Sequence, residues 1–99
     1  MNVLEQVLEK DSLCFCIDDK LGFVVRWMLN SGAGTVVIFQ PDIQIANRLQ
    51  MEFADDKRVI VDRSEIGKDI TIQEAIDGYG MPQMMIMEKN SNEPIPINY

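Results

Sequence analysis

The sequence predicts an α/β fold, with about four parallel strands in the order 3-2-1-4 and helices on both faces of the sheet. Three observations predict it. Short runs that are apolar at every position recur along the chain, and such strands are covered on both faces, as in parallel sheets. Segments with apolar residues at helical spacing separate these runs. The junctions carry Asp, Gly and Pro where helices are capped or stopped.

The elements follow in order. Asn2 is placed to cap a helix over residues 3–10, whose stripe is Val3, Leu4, Val7 and Leu8. Leu13-Cys14-Phe15-Cys16-Ile17 is the first strand, and Asp18-Asp19-Lys20 the turn after it. Leu21, Val24, Val25, Met28 and Leu29 stripe a helix over 21–30, and Gly32 is placed as its C-cap residue. Thr35-Val36-Val37-Ile38-Phe39 is the second strand. Asp42 then caps a helix from 43 to about 54, and Val59-Ile60-Val61 form the third strand. Thr71 with Glu74 makes a capping box for a helix ended by Gly78-Tyr79-Gly80, and Pro82 blocks its return. Met84-Met85-Ile86-Met87 is the fourth strand, and residues 89–99 read as an extended tail.

With 99 residues, the chain is read as one domain spanning 1–99. A domain of this size buries only about 60–65% of the surface its unfolded chain exposes, so its core is thin and a partner surface would help it. Nine basic against sixteen acidic side chains give a net charge of -7, which argues against a nucleic-acid partner, since that needs a basic face. The absence of histidine removes imidazole ligands and imidazole bases, and leaves the serines without a base partner. No run of about 18 apolar residues exists to span a membrane, and the N-terminus lacks the basic start of a signal peptide. Cys14 and Cys16 share one face of a strand, where a disulfide between them would be strained. Two reduced core thiols, and hence a cytoplasmic setting, are the expectation.

From Phe15 to Glu88 the chain resembles the first half of a class I S-adenosylmethionine-dependent methyltransferase, most nearly the FkbM type. The resemblance rests on an ordered series of partial matches. They are Cys16-Ile17-Asp18-Asp19-Lys20-Leu21-Gly22 for a D-I-G-A-N-x-G loop, and Gln40-Pro41-Asp42 for E-P-D. Residues 71–82, reading TIQEAIDGYGMP, match T-L-D-x-L-I-x-x-Y-G-x-P, and residues 86–91, reading IMEKNS, match K-I-D-V-E-G. The resemblance implies a Rossmann-like three-layer half-domain with S-adenosylmethionine at the carboxyl edge of the sheet. It implies Asp18, Asp19, Gly22 and Gln40 as the cofactor-facing positions.

The departures fall on those same positions. Asp18 brings a side chain and a charge where the family has the glycine that lets backbone approach the ligand. Gln40 replaces the acid that would accept from the ribose hydroxyls, losing the charge-assisted bond. Cys16 and Lys20 replace an acid and an Asn, and only Gly22 is kept. A full sheet in this family has about seven strands, and the reading here stops at four. The expectation is a truncated, non-catalytic methyltransferase-like domain with no bound cofactor, acting as a binding or assembly module. The alternative is a residual S-adenosylmethionine-binding domain, or a methyltransferase subunit that needs a partner.

Three other constellations have plainer readings. Asp18, Asp19, Gln40, Asp42, Asp62 and Glu88 all fall near the carboxyl edge of the predicted sheet. They would suit a hard cation, but read better as a solvated loop edge with helix caps, so no metal is expected. Gly32-Ala33-Gly34 follows a helix and precedes a strand, the wrong order for a phosphate loop. Met81, Met84, Met85 and Met87 read as core packing, and Trp27 as a packed helix residue. The fourth strand would leave its outer edge unpaired. A homodimer through Met84 to Met87, or through adjacent helices, is the expected remedy unless the tail folds back over that edge.

Overall fold

A computed structural model of the chain describes residues 8–88 and 94–96. Its elements are β1 (Ser12–Ile17), α1 (Phe23–Asn30), β2 (Ala33–Phe39), α2 (Ile43–Glu52), β3 (Val59–Asp62), α3 (Ile72–Tyr79), β4 (Met84–Glu88) and β5 (Pro94–Pro96). The first four strands are parallel and lie in the order β3-β2-β1-β4. This is the predicted Rossmann-like half-domain.

Continuous apolar runs give the sheet two covered faces. Cys14 stands beside Val36 and Met84, and Cys16 beside Ile38 and Ile86. These six side chains pack with Val24, Val25, Met28 and Leu29 of α1 and Leu49 of α2. The intervening residues point the other way, because side chains alternate along a strand. Phe15, Ile17, Val37, Phe39 and Met85 there meet Ala75 and Ile76 of α3. Met87 and Trp27 are half-buried against the two clusters, while Met81 is exposed.

The caps of α2 and α3 form as the sequence predicts. The Asp42 carboxylate accepts from the amides of Gln44 and Ile45 at 2.9 and 3.1 Å. Thr71 and Glu74 close a reciprocal capping box, each bond 3.0 Å long. A side-chain cap of this kind contributes about 1 kcal/mol.

Some boundaries differ for local reasons. Helix α1 begins at Phe23 rather than Leu21, because Gly22 takes a left-handed φ of 81° that no helical residue shares. Strand β2 begins at Ala33 rather than Thr35, so Ala33 and Gly34 belong to the strand. A Cβ at position 34 would lie 2.5 Å from the Asp11 Cα, so only glycine lets the two backbones pass. The helix expected over residues 3–10, and its cap Asn2, fall mainly outside the described residues. The described end of that segment is not helical: Leu8 and Glu9 are irregular and Lys10 begins a turn.

The outer edge of β4 is not free. Strand β5 pairs with it antiparallel, with Ile86 opposite Pro96, Met87 opposite Ile95 and Glu88 opposite Pro94. The unpaired edge that motivated a dimer through Met84 to Met87 is therefore occupied by the chain's own tail. Two of the three β5 residues are prolines, which have no N–H to offer a further strand. The remainder of the tail lies outside the described residues. Among the described residues no helix is long and apolar enough to cross a membrane.

Candidate functional site

The site lies where β1 hands the chain to α1, at the carboxyl edge of the parallel sheet, the usual ligand position in open α/β folds. Asp18 leaves the strand in the left-handed region, with φ 60°. Its amide donates to the Phe39 carbonyl at 2.9 Å, which holds this turn against the end of β2. The loop thus has a backbone suited to glycine with an Asp in it, and Asp is among the few residues that tolerate this region.

Asp19 is fully buried, an unusual setting for a carboxylate. Its Oδ1 accepts from the amides of Gly22 at 2.8 Å and Leu21 at 3.2 Å. Its Oδ2 accepts from the Val25 amide at 3.4 Å and the Cys16 thiol at 3.6 Å. The carboxylate therefore braces the loop that leads into α1, bonding two loop amides and, more weakly, the Val25 amide in the first turn of the helix. An anion placed there is favoured both by the unpaired amides and by the helix dipole.

Gln40, at the end of β2, is also buried. Its Nε2 donates to the Asp19 carbonyl at 3.1 Å, and its Oε1 accepts from the Asp42 amide at 3.0 Å. One side chain so ties the β1–α1 loop to the cap of α2. The Arg48 guanidinium of α2 adds a bond to the Lys20 carbonyl. Gly22 lies beneath the end of α2, where a Cβ would come 3.0 Å from Glu52 Oε2 and 3.3 Å from the Phe53 ring. The left-handed φ favours glycine there, and a side chain would also press on Glu52 and Phe53.

Glu88, the last residue of β4, completes the cluster and is only 5% exposed. Burial raises its pKa, as do the charge of Asp19 and a hydrogen bond shared with it, while Lys20 acts in the opposite direction. Its Oε1 has no hydrogen-bond partner. Burial also holds the Cys16 thiol well above its ordinary value, with Asp19 adding to the effect, so this is not a reactive thiolate. Both cysteines are free and buried.

Of the predicted positions, Asp18, Asp19, Gly22 and Gln40 do converge. Asp19, Gly22 and Gln40 spend their polar groups on one another or on neighbouring backbone. Of the remaining acids, Asp42 faces outward on its cap. Asp62 accepts from the Tyr79 hydroxyl at 2.6 Å and from the Ser64 amide at 2.8 Å. Among the described residues no group of three or more Cys, Asp or Glu side chains is arranged to hold a metal. Glu88, which the sequence groups with a solvated acidic edge, is instead buried, and its signal is a carboxylate ending an otherwise apolar strand.

Compared with protein-family models and with curated proteins, the chain matches none.

Proposed function

We propose that this chain is a methyltransferase-like half-domain whose cofactor loop has closed on itself, and that it serves as a non-catalytic binding or assembly module. The observation that carries the reading is the Asp19 carboxylate seated on the amides of Leu21, Gly22 and Val25. In open α/β folds those amides are the natural seat for a ligand's anionic group. Here a buried side chain of the chain itself takes them. An incoming carboxylate or phosphate would have to displace Asp19 and lie beside a second carboxyl, Glu88. Gln40 is similarly engaged, with its amide donor on the Asp19 carbonyl rather than open to a ribose.

A second reading, a residual S-adenosylmethionine site or a subunit needing a partner, draws on the loop backbone. Gly22 is kept with φ 81°, and Asp18 takes the conformation a glycine would.

Thermal unfolding with and without S-adenosylmethionine or S-adenosylhomocysteine at millimolar concentration separates the two. A ligand at about 100 times its Kd adds ~2.7 kcal/mol. In a domain of this size each ~1 kcal/mol moves the midpoint by roughly 4–8 °C. The module reading expects no shift in the wild type, nor in the Asp18→Gly/Gln40→Glu double variant. A clear rise in the wild type would overturn it in favour of the cofactor reading.

A further inference from the structure

We propose that the outer edge of β3, together with the adjoining end of α2, is a self-pairing surface that joins two copies of this chain about a two-fold axis at Val61. The inference rests on the module reading above and names its partner.

With β5 on β4, the sheet among the described residues has its other boundary at β3, with no strand on that strand's outer side. The hydrogen bonds say which backbone groups face outward. The carbonyls of Arg58 and Asp62 accept from the amides of Val36 in β2 and Gln40 just after it, both at 2.8 Å. Backbone groups alternate along a strand, so those of Val59 and Val61 point away from the sheet. The Val59 amide confirms this, since it turns back to the Asp56 carbonyl at 3.2 Å. The Val59 carbonyl and both polar groups of Val61 remain for a partner.

That set is self-complementary. In an antiparallel pair, two residues directly opposite each other exchange both N–H···O bonds at every second position. A two-fold axis at Val61 makes Val61 such a pair with its own copy. It sets the Val59 carbonyl opposite position 63 of the other copy, next in the alternation. Beyond the strand, the same axis brings the turn that carries Lys57 towards the segment that carries Glu65 of the other copy, so opposite charges lie at both ends of the junction. Symmetric, isologous contacts of this kind are the commonest way in which identical chains associate.

The side chains beside the edge suit a partner. Val59 and Val61 are half-buried, and with Gln50, Phe53 and Ala54 they line a depression of about 290 Å³. Gln50 and Ala54 also border a second, mostly apolar hollow with Asn47 and Met51. Met51 is 79% exposed. A two-fold axis normal to the sheet keeps like faces together. The two α2 helices then flank the junction, and the depressions merge above the paired Val61 residues.

Sedimentation of the full chain tests the proposal across roughly 1–500 µM, a range that captures micromolar association. The expected species has twice the 11.3 kDa chain mass. Met51→Lys, at an exposed site, and Val61→Pro, which removes an outward N–H, should each weaken association at least about tenfold. For Met51→Lys the unfolding midpoint of the diluted protein should stay unchanged. Paired residues of this type lie about 5.5 Å apart at Cα, within disulfide range. Val61→Cys should therefore cross-link under mild oxidation, and Ile60→Cys, which lies off the axis, should not. A dimer that ignores both weakening variants and does not cross-link at Val61 overturns this surface but leaves an assembly role standing. A monomer throughout overturns self-pairing. A stabilising shift with S-adenosylmethionine, measured on the same samples, overturns the module reading itself.

Discussion

The side-chain amide of Gln40 donates to the main-chain carbonyl of Asp19, 21 residues earlier in the chain, at 3.1 Å. This bond lets the end of β2 support the loop after β1. It also explains why an amide stands here rather than an acid. A carboxylate would set a second acceptor against a carbonyl, in a buried spot beside Asp19.

Gln40→Glu should therefore destabilise the fold even though it moves the sequence closer to the methyltransferase pattern. Losing a buried donor and leaving its acceptor unmet costs about 1–3 kcal/mol. Chemical denaturation should show a lower midpoint with an unchanged slope. A variant as stable as the wild type would mean that the bond contributes little.

Asp18 has φ 60°, and the variants there should sort by backbone freedom. Asp18→Gly removes the left-handed strain but makes the unfolded chain more flexible, so the two effects nearly offset, within about 1 kcal/mol. Asp18→Val should cost about 1–2 kcal/mol or more, since a β-branched residue is disfavoured in this region. Equal stability of the Gly and Val variants would show that the turn relaxes to another conformation.

Glu88 gives the fold a pH dependence of defined sign. Its folded pKa is raised above the ordinary 4.5, first by burial and then by Asp19. The protonated form is the one the fold favours. This contribution is fully present below the unfolded pKa and is lost as pH rises through the folded one. Glu88→Gln should remove that decline and hold the midpoint higher on the alkaline side of the transition. Unfolding midpoints of both proteins from about pH 4 to about pH 8 check it, and parallel curves would count against a buried protonated carboxyl.

Tyr79 contributes at the other end of the scale. Its hydroxyl is pushed up to about 12 by burial and by the hydrogen bond to Asp62. Stability from this group is present below the ordinary value of 10.0 and is lost as pH climbs from there towards 12. Tyr79→Phe should flatten that alkaline decline. The effect should be small, because the ring is over a third exposed and water screens the pair. The ring's edge-to-face contacts with Phe15 and Phe39 should survive the change.

Much of this architecture was legible from the residues. The runs around Phe15, Val37 and Met85 are apolar at every position, which only two covered faces can satisfy. Asp42 and the Thr71–Glu74 pair announce helix starts through local chemistry that depends on a few adjacent residues. Asp18, Asp19, Gly22 and Gln40 were picked out by their place in a pattern, and they do meet. Their bonds were not legible. Asp19 reaches the amides of the following loop and first helical turn, and Gln40 reaches across from the next strand. The Asp19 bonds stay within six residues and follow from the left-handed turn at Asp18, whereas the Gln40 bond depends on how closely two strand ends approach, which no spacing within either segment encodes.

The sequence by itself determined strands β1 to β4, helices α1 to α3, the caps of α2 and α3 and the layered parallel sheet. Periodicity and capping act over a few residues, and burial of alternating faces leaves few ways to stack such elements. Only the tertiary structure decided which polar groups were already satisfied. It turned Asp19 from a candidate ligand contact into an internal brace and buried Glu88 against it. It laid residues 94–96 along β4, leaving β3 as the open boundary of the described sheet. The Asp19 brace and the β5 pairing are made by nearby residues, whereas Glu88 against Asp19 and Gln40 on the Asp19 carbonyl join segments far apart in the chain. There the cost of burying an unmet charge or donor, rather than any local preference, selects the partner.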